Sequence, residues 1–238
     1  MTSKTQHQNP PLPDYKIAYF TDGMLRKALK NPEAIKALIE NPVEENIKTA
    51  SYDVCLGERF LKYKWWPLIK DMRADQTKYT RPLEVRGRDK VTALTKNRGL
   101  KNDLARFWFF LRNGGWFGVD DEGLFFLMRP LGFVCGVIVE KINLPANIGA
   151  ILDGKSSTGR RAICVHITAG FADPGYSGRM TTEMFNFLRT WSKLRPGDRI
   201  GQLRFFYYAE DCEQVYGSPE QHNHYQDANT VEAGAPLQ

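Results

Sequence analysis

Between Gly154 and Asn186 the sequence reads GKSSTGRRAICVHITAGFADPGYSGRMTTEMFN, a run that gathers Lys155, Ser156, Ser157, Arg160, His166, Asp173 and Glu183. Hydroxyls, free backbone amides and a guanidinium fork are what a chain of phosphates requires, and GKSSTGR supplies all three. It is not a P-loop, because the GxxxxGK[ST] order and a following helix are missing; by itself it reads as a polar turn. Glu183 stands in TTEMFNF between apolar residues at strand spacing. Pointed inward, such a carboxyl must be paired or have a raised pKa, and it can then pass protons near neutral pH. His166 in VHITAG has the surroundings of a core histidine, and Asp173 before Pro174-Gly175 those of a turn cap. These residues predict an anionic-ligand site with one or two working carboxyls. They leave the reaction open.

The 238 residues suffice for one large β domain, and an apolar share of 42% supports a core. The net charge of +6 favours polyanionic partners. Cys55, Cys135, Cys164 and Cys212 are far apart and lack zinc-ligand spacing, which predicts reduced thiols and no zinc. The N-terminus has no apolar signal segment and no stretch is long enough to span a bilayer, so the expectation is a soluble cytoplasmic protein without a membrane partner.

The elements that must position these residues are mostly strands. Residues 1–14, rich in proline and amides, read as a flexible arm. Thr21 and Asp22 can cap a helix through Met24, Leu25, Ala28 and Leu29, and Ala34, Ile35, Leu38 and Ile39 give a second helical face after Pro32. SYDVCLGERF (51–60) alternates as a strand with a bulge or turn at Gly57. Strands follow at LFFLM, FVCGVIVEKINL, 148–152, the central run and 200–208, separated by Pro/Gly turns. Many short strands with little helix predict a mainly β domain, a barrel or jelly roll, over 15–213. Residues 62–112 interrupt it with fourteen Lys or Arg against five Asp or Glu. Trp65, Trp66, Tyr79, Phe107, Trp108, Phe109 and Phe110 are interleaved there. A solvated insertion with an apolar anchor is the simpler reading, and single-stranded nucleic acid the alternative partner. Residues 214–238 read as a polar tail that orders only on a ligand.

Several stretches in register resemble the dCTP deaminases of the trimeric dUTPase-like superfamily. They are ASYDVCLG (50–57), LPANIGAILDGKSSTGR (144–160), VHITAGFADPGYSG (165–178), TTEMFN (181–186) and LRPGDRIGQLRF (194–205), and FTDGMLRKAL resembles the opening helix. The resemblance implies a distorted β-barrel or jelly roll of the dUTPase-like type, assembled as a homotrimer with active sites between subunits. It implies hydrolysis of dCTP to dUTP and ammonia without zinc, with Mg²⁺ carried by the triphosphate. Glu183 then matches the proton-shuttling carboxylate, and Ser156 and Arg160 match residues needed for catalysis. Lys155 and Ser157 complete the phosphate loop, His166 and Ala169 line the base pocket, and Asp173 matches the deoxyribose-binding aspartate.

TAGFADPGYSG is closer to the branch that also hydrolyses dUTP to dUMP. At the tail, VYG (215–217) and HYQDA (224–228) resemble the family's closing segment, so Tyr216, Tyr225 and Gln226 are expected at the substrate, whereas His224 and Ala228 stand in place of a lysine and a glutamine. Rival expectations are a dUTPase alone or a modified-cytidine-nucleotide deaminase on the same scaffold, or a non-catalytic nucleotide sensor whose basic insertion binds nucleic acid.

Overall fold

The computed structural model describes residues 18–30, 38–63, 80–96, 99–168, 170–221 and 223–234. The 1–14 arm, Ala34 and Ile35 of the second helical face, Trp65, Trp66, Tyr79 and Ala169 lie outside the described residues.

Strand β1 (Ala18–Tyr19) leads into helix α1 (Asp22–Lys30), whose Met24 amide donates to the Thr21 hydroxyl, the N-cap that the sequence predicts. After β2 (Ile47–Lys48) comes the longest strand, β3 (Ser51–Tyr63), which reaches three residues beyond its expected end at Phe60. Strand β4 (Thr80–Leu83), helix α2 (Val91–Lys96) and helix α3 (Leu100–Arg112) follow. Next come β5 (Phe117–Asp120), β6 (Gly123–Met128), β7 (Phe133–Ile138) and β8 (Ile142–Asn143). The single strand expected over FVCGVIVEKINL is therefore two, because the chain turns at Val139–Lys141. β9 (Ile148–Gly154) ends in the one-turn helix α4 (Ser156–Gly159), and β10 (Ile163–Cys164), β11 (Phe171–Ala172) and β12 (Ser177–Gly178) are short. β13 (Thr181–Asn186), β14 (Ser192–Leu194) and β15 (Arg199–Tyr207) complete the set.

The main sheet runs β10-β13-β7-β3-β15-β9-β11, with β1 added to β15 and β2 and β4 to β3; β14-β6-β5 and β12-β8 form two small sheets. This is the mainly β architecture that the strand pattern predicts. β3 pairs with β15 through Tyr52–Cys55 and with β7 through Leu56–Leu61, so it links two halves of the sheet. The register slips between Leu56 and Phe60 around Gly57, where a Cβ would approach the Val137 carbonyl oxygen to 2.7 Å. The bulge thus needs glycine for close approach.

Each half has its own apolar cluster. Phe20, Leu25, Tyr52, Leu152 and Phe205 pack in one. Phe60, Leu94, Phe109, Phe126 and Met184 pack in the other, where the rings of Phe60 and Phe126 stack at 3.9 Å. The basic insertion therefore contributes core residues: Leu83, Leu94 and Phe109 are buried against the second cluster. Among the described residues no helix is long and apolar enough to cross a membrane.

Candidate active site

Glu183 alternates with the buried Thr182 and Met184 on β13, so its side chain leaves the core and faces a cleft of about 310 Å³. That volume suits a nucleoside-sized ligand. Its Oε2 accepts hydrogen bonds from the amides of Ile167 (3.3 Å) and Thr168 (3.1 Å), and lies 3.9 Å from His166 Nδ1. The carboxylate is thus held by the loop after β10. His166 Nδ1 is buried with no hydrogen-bond partner, and the ring lies so close to Gly170 that a Cβ there would sit 2.9 Å from Nε2. Cys135, across the β13-β7 register from Glu183, has its thiol pushed up to about 11 by burial and by the neighbouring carboxylate.

Asp173, Tyr216 and Tyr225 line the same cleft. Asp173 is at the rim, and partial desolvation by the surrounding walls raises its carboxyl above the ordinary aspartate value. The structure adds Tyr176, Arg179 and Glu232, which the sequence reading did not single out. The only signal for Tyr176 and Arg179 was their place just after the ADPG turn.

The tail is joined to this turn by backbone hydrogen bonds. Tyr216 N donates to Pro174 O (2.8 Å), Asp227 N to Ser177 O (2.7 Å) and Arg179 N to Ala228 O (2.7 Å). Gly175 makes this possible: with φ of 90°, it has Tyr216 O and Val215 Cβ each 2.7 Å from where a Cβ would stand. Tyr176 and Tyr216 meet edge to face at 5.5 Å, and the Tyr216 hydroxyl accepts the Tyr225 amide. Gln226 commits its side-chain amide to Gly175 O and Ser177 N, so here it docks the tail.

The phosphate-type loop is elsewhere. Ser156, Ser157 and Arg160 are exposed on and after α4, and none of them lines the Glu183 cleft. Lys155 is paired with Asp53, a fully buried carboxylate that also accepts from Gln202 Nε2 at 3.2 Å. The ammonium that was expected to meet phosphate is in this arrangement the counter-charge of a buried acid. Within one chain the cleft is lined by Asp173, Glu183 and Glu232 against Arg179, so it is net acidic. Among the described residues no group of three His, Cys, Asp or Glu is placed to hold a metal ion.

Residues 119–208 match the family model described as dCTP deaminase-like. The chain is 46% identical over 101 residues to the dCTP deaminase, dUMP-forming, of Kocuria rhizophila, covering 42% of this chain and 53% of that protein. It is 42% identical over 105 residues to the protein of the same name from Tropheryma whipplei, covering 44% and 54%. The chain spans about half the length of the curated relatives it matches. Its fold is similar to that of the 2'-deoxycytidine 5'-triphosphate deaminase from Agrobacterium tumefaciens, with a TM-score of 0.51 and 16% identity over 80% of this chain and 48% of the other.

Proposed function

We propose that the protein hydrolyses dCTP to dUTP and ammonia and then dUTP to dUMP and pyrophosphate, in sites completed between the subunits of a homotrimer. The observation that carries this reading is Glu183, a carboxylate oriented by two backbone amides at the wall of a nucleoside-sized cleft. In deamination, Glu183 takes a proton from water as its oxygen bonds to C4 of cytosine, and delivers that proton to N3. It then returns a second proton from the C4 hydroxyl to the amine, which leaves as ammonia when the C–N bond breaks. The balance is dCTP plus water to dUTP plus ammonia. A second water then attacks the α-phosphorus with Asp173 as its base, releasing pyrophosphate. The dUMP-forming names of the relatives favour this second step.

Assembly follows from charge. A net acidic cleft does not hold a triphosphate unaided, whereas Ser156, Ser157, Arg160 and Arg161 present hydroxyls and guanidinium groups on an exposed loop. A neighbouring subunit can bring that loop to the cleft, and the exposed Ile167 and Phe171 beside it are apolar surface that such an interface covers. His166 would then face the base. The magnesium of the substrate would ride on the phosphate oxygens. Ala228 lines the cleft where the resemblance expects a long amide, which favours as a second reading a deaminase for ring-substituted cytidine nucleotides.

Incubation with dCTP, dUTP and 5-substituted dCTP in the presence of magnesium, resolved by chromatography, tests both readings. Conversion of dCTP to dUMP is expected; no turnover of any of the three overturns them.

A further inference from the structure

A second cleft, of about 480 Å³, lies between β4, the C-terminal end of α3 and the β6-β7 turn. It does not share a lining residue with the Glu183 cleft. Lys62, Arg81, Arg86, Arg112 and Arg129 face it, against Glu84 alone. Among the described residues the neighbouring ion pairs engage Arg88, Arg106, Lys193 and Arg195, and leave Arg81, Arg86 and Arg112 without a carboxylate partner. Lys62 Nζ and Arg129 Cζ stand 5.1 and 4.6 Å from the Trp116 ring centroid, so the indole, itself stacked near Phe126, draws two cations together. Like charges such as Arg81, Arg86 and Arg112 gathered in one concavity repel one another until an anion enters.

Helix α3 leads to this cleft with an unusual face. Leu100, Leu104, Phe107, Trp108 and Leu111 are all exposed, Trp108 at 66%, while the opposite side buries Phe109. Trp108 lies three and four residues before Leu111 and Arg112, both cleft residues, so it shares their face of the helix, with its Cα about 6 Å along the axis from that of Arg112. A groove of cations that continues into exposed aromatic rings fits a phosphodiester chain whose bases are free to stack. A duplex has no unpaired base to offer Trp108, and an apolar protein partner leaves Arg81, Arg86 and Arg112 unanswered.

We infer that the cationic cleft and the outer face of α3 form a binding site for single-stranded polynucleotide, separate from the nucleotide cleft.

Fluorescence anisotropy of the full chain tests this with labelled oligothymidylate and oligouridylate of roughly 20 nucleotides, longer than such a groove covers, and with a duplex of the same length. Single strands are expected to bind. For three to five neutralised phosphates, the log of the binding constant should fall with log salt at a slope of about −2 to −3.5. The combined Arg81→Glu, Arg86→Glu and Arg112→Glu variant should lose more than about tenfold in affinity and flatten that slope. Trp108→Ala should lose about five- to 150-fold. All four positions are exposed, so the thermal unfolding midpoint should not move. Excess dCTP should leave the oligonucleotide bound. The proposal is overturned by absent binding at low salt or by an unaffected triple variant. It is equally overturned by duplex bound as tightly as single strands, by displacement with dCTP, or by a Trp108→Ala effect confined to the association state.

Discussion

Glu183 keeps one oxygen against the amides of Ile167 and Thr168 and the rest of its carboxyl at the cleft wall, so orientation is fixed by backbone and not by another titrating side chain. Glu183→Gln preserves the shape and removes the proton acceptor; kcat for deamination should fall by about 10²–10⁴, with the thermal midpoint unchanged. A normal rate in single-turnover assays would remove Glu183 from the mechanism. Asp120 offers a separate test at the opposite end of the pH scale. Burial pushes its carboxyl up, but hydrogen bonds from Arg195 (2.6 Å) and Lys193 (2.8 Å) outweigh this and hold it well below the usual carboxylate range. A depressed folded-state pKa gives stability that is fully present above the unfolded value, near pH 4, and is lost as pH falls through the folded one. Denaturant midpoints measured from neutrality to below pH 4 should decline less steeply in Asp120→Asn than in the wild type.

At the level of elements, the ADPG turn and the tail act as one unit. Gly175→Ala places a Cβ against Val215 and the Tyr216 backbone and imposes a left-handed φ on an L-residue, about 1–2 kcal/mol from the backbone alone. Tyr216 and Tyr225 should then leave the cleft wall; hydrogen exchange at residues 215–228 should rise and KM for dCTP increase more than kcat falls. An unchanged exchange pattern would show that the tail docks by other contacts. This unit also shows what was legible beforehand. The strand at Thr181–Asn186, the bulge at Gly57 and the Thr21 cap follow from periodicity and local chemistry, and the structure has all three. The backbone pairs that dock the tail were not legible, because they join amides and carbonyls about 50 residues apart; Tyr216, Tyr225 and Gln226 were marked only by the resemblance of VYG and HYQDA. The Lys155–Asp53 pair was hidden for a similar reason: its partners are 102 residues apart, and a lysine beside serines reads locally as a phosphate ligand. Composition marked 62–112 as basic and aromatic, but only the fold separates the buried Phe109 from the exposed Trp108.

For the whole molecule, the separation of Ser156 and Arg160 from the Glu183 cleft predicts shared sites. Glu183→Gln and Arg160→Ala proteins should each be inactive alone. Co-expressed in equal amounts and randomly mixed, they should recover about a quarter of the wild-type sites, since each site then takes its glutamate from one subunit and its arginine from another. Sedimentation of the wild type should report a trimer, and a mixture with no recovered activity would place the complete site within one chain.

Strand β3 has a further consequence, for the order in which the protein can be made. Its Tyr52–Cys55 segment pairs with Leu203–Arg199 of β15, and Asp53 finds Gln202 at a separation of 149 residues. At about 5–20 residues per second, β3 waits roughly 8–30 s on the ribosome before that neighbour emerges. Until then it presents an open strand edge. Messages truncated before Arg199 should therefore yield insoluble product even though the cleft residues from Asp173 to Glu183 are already present.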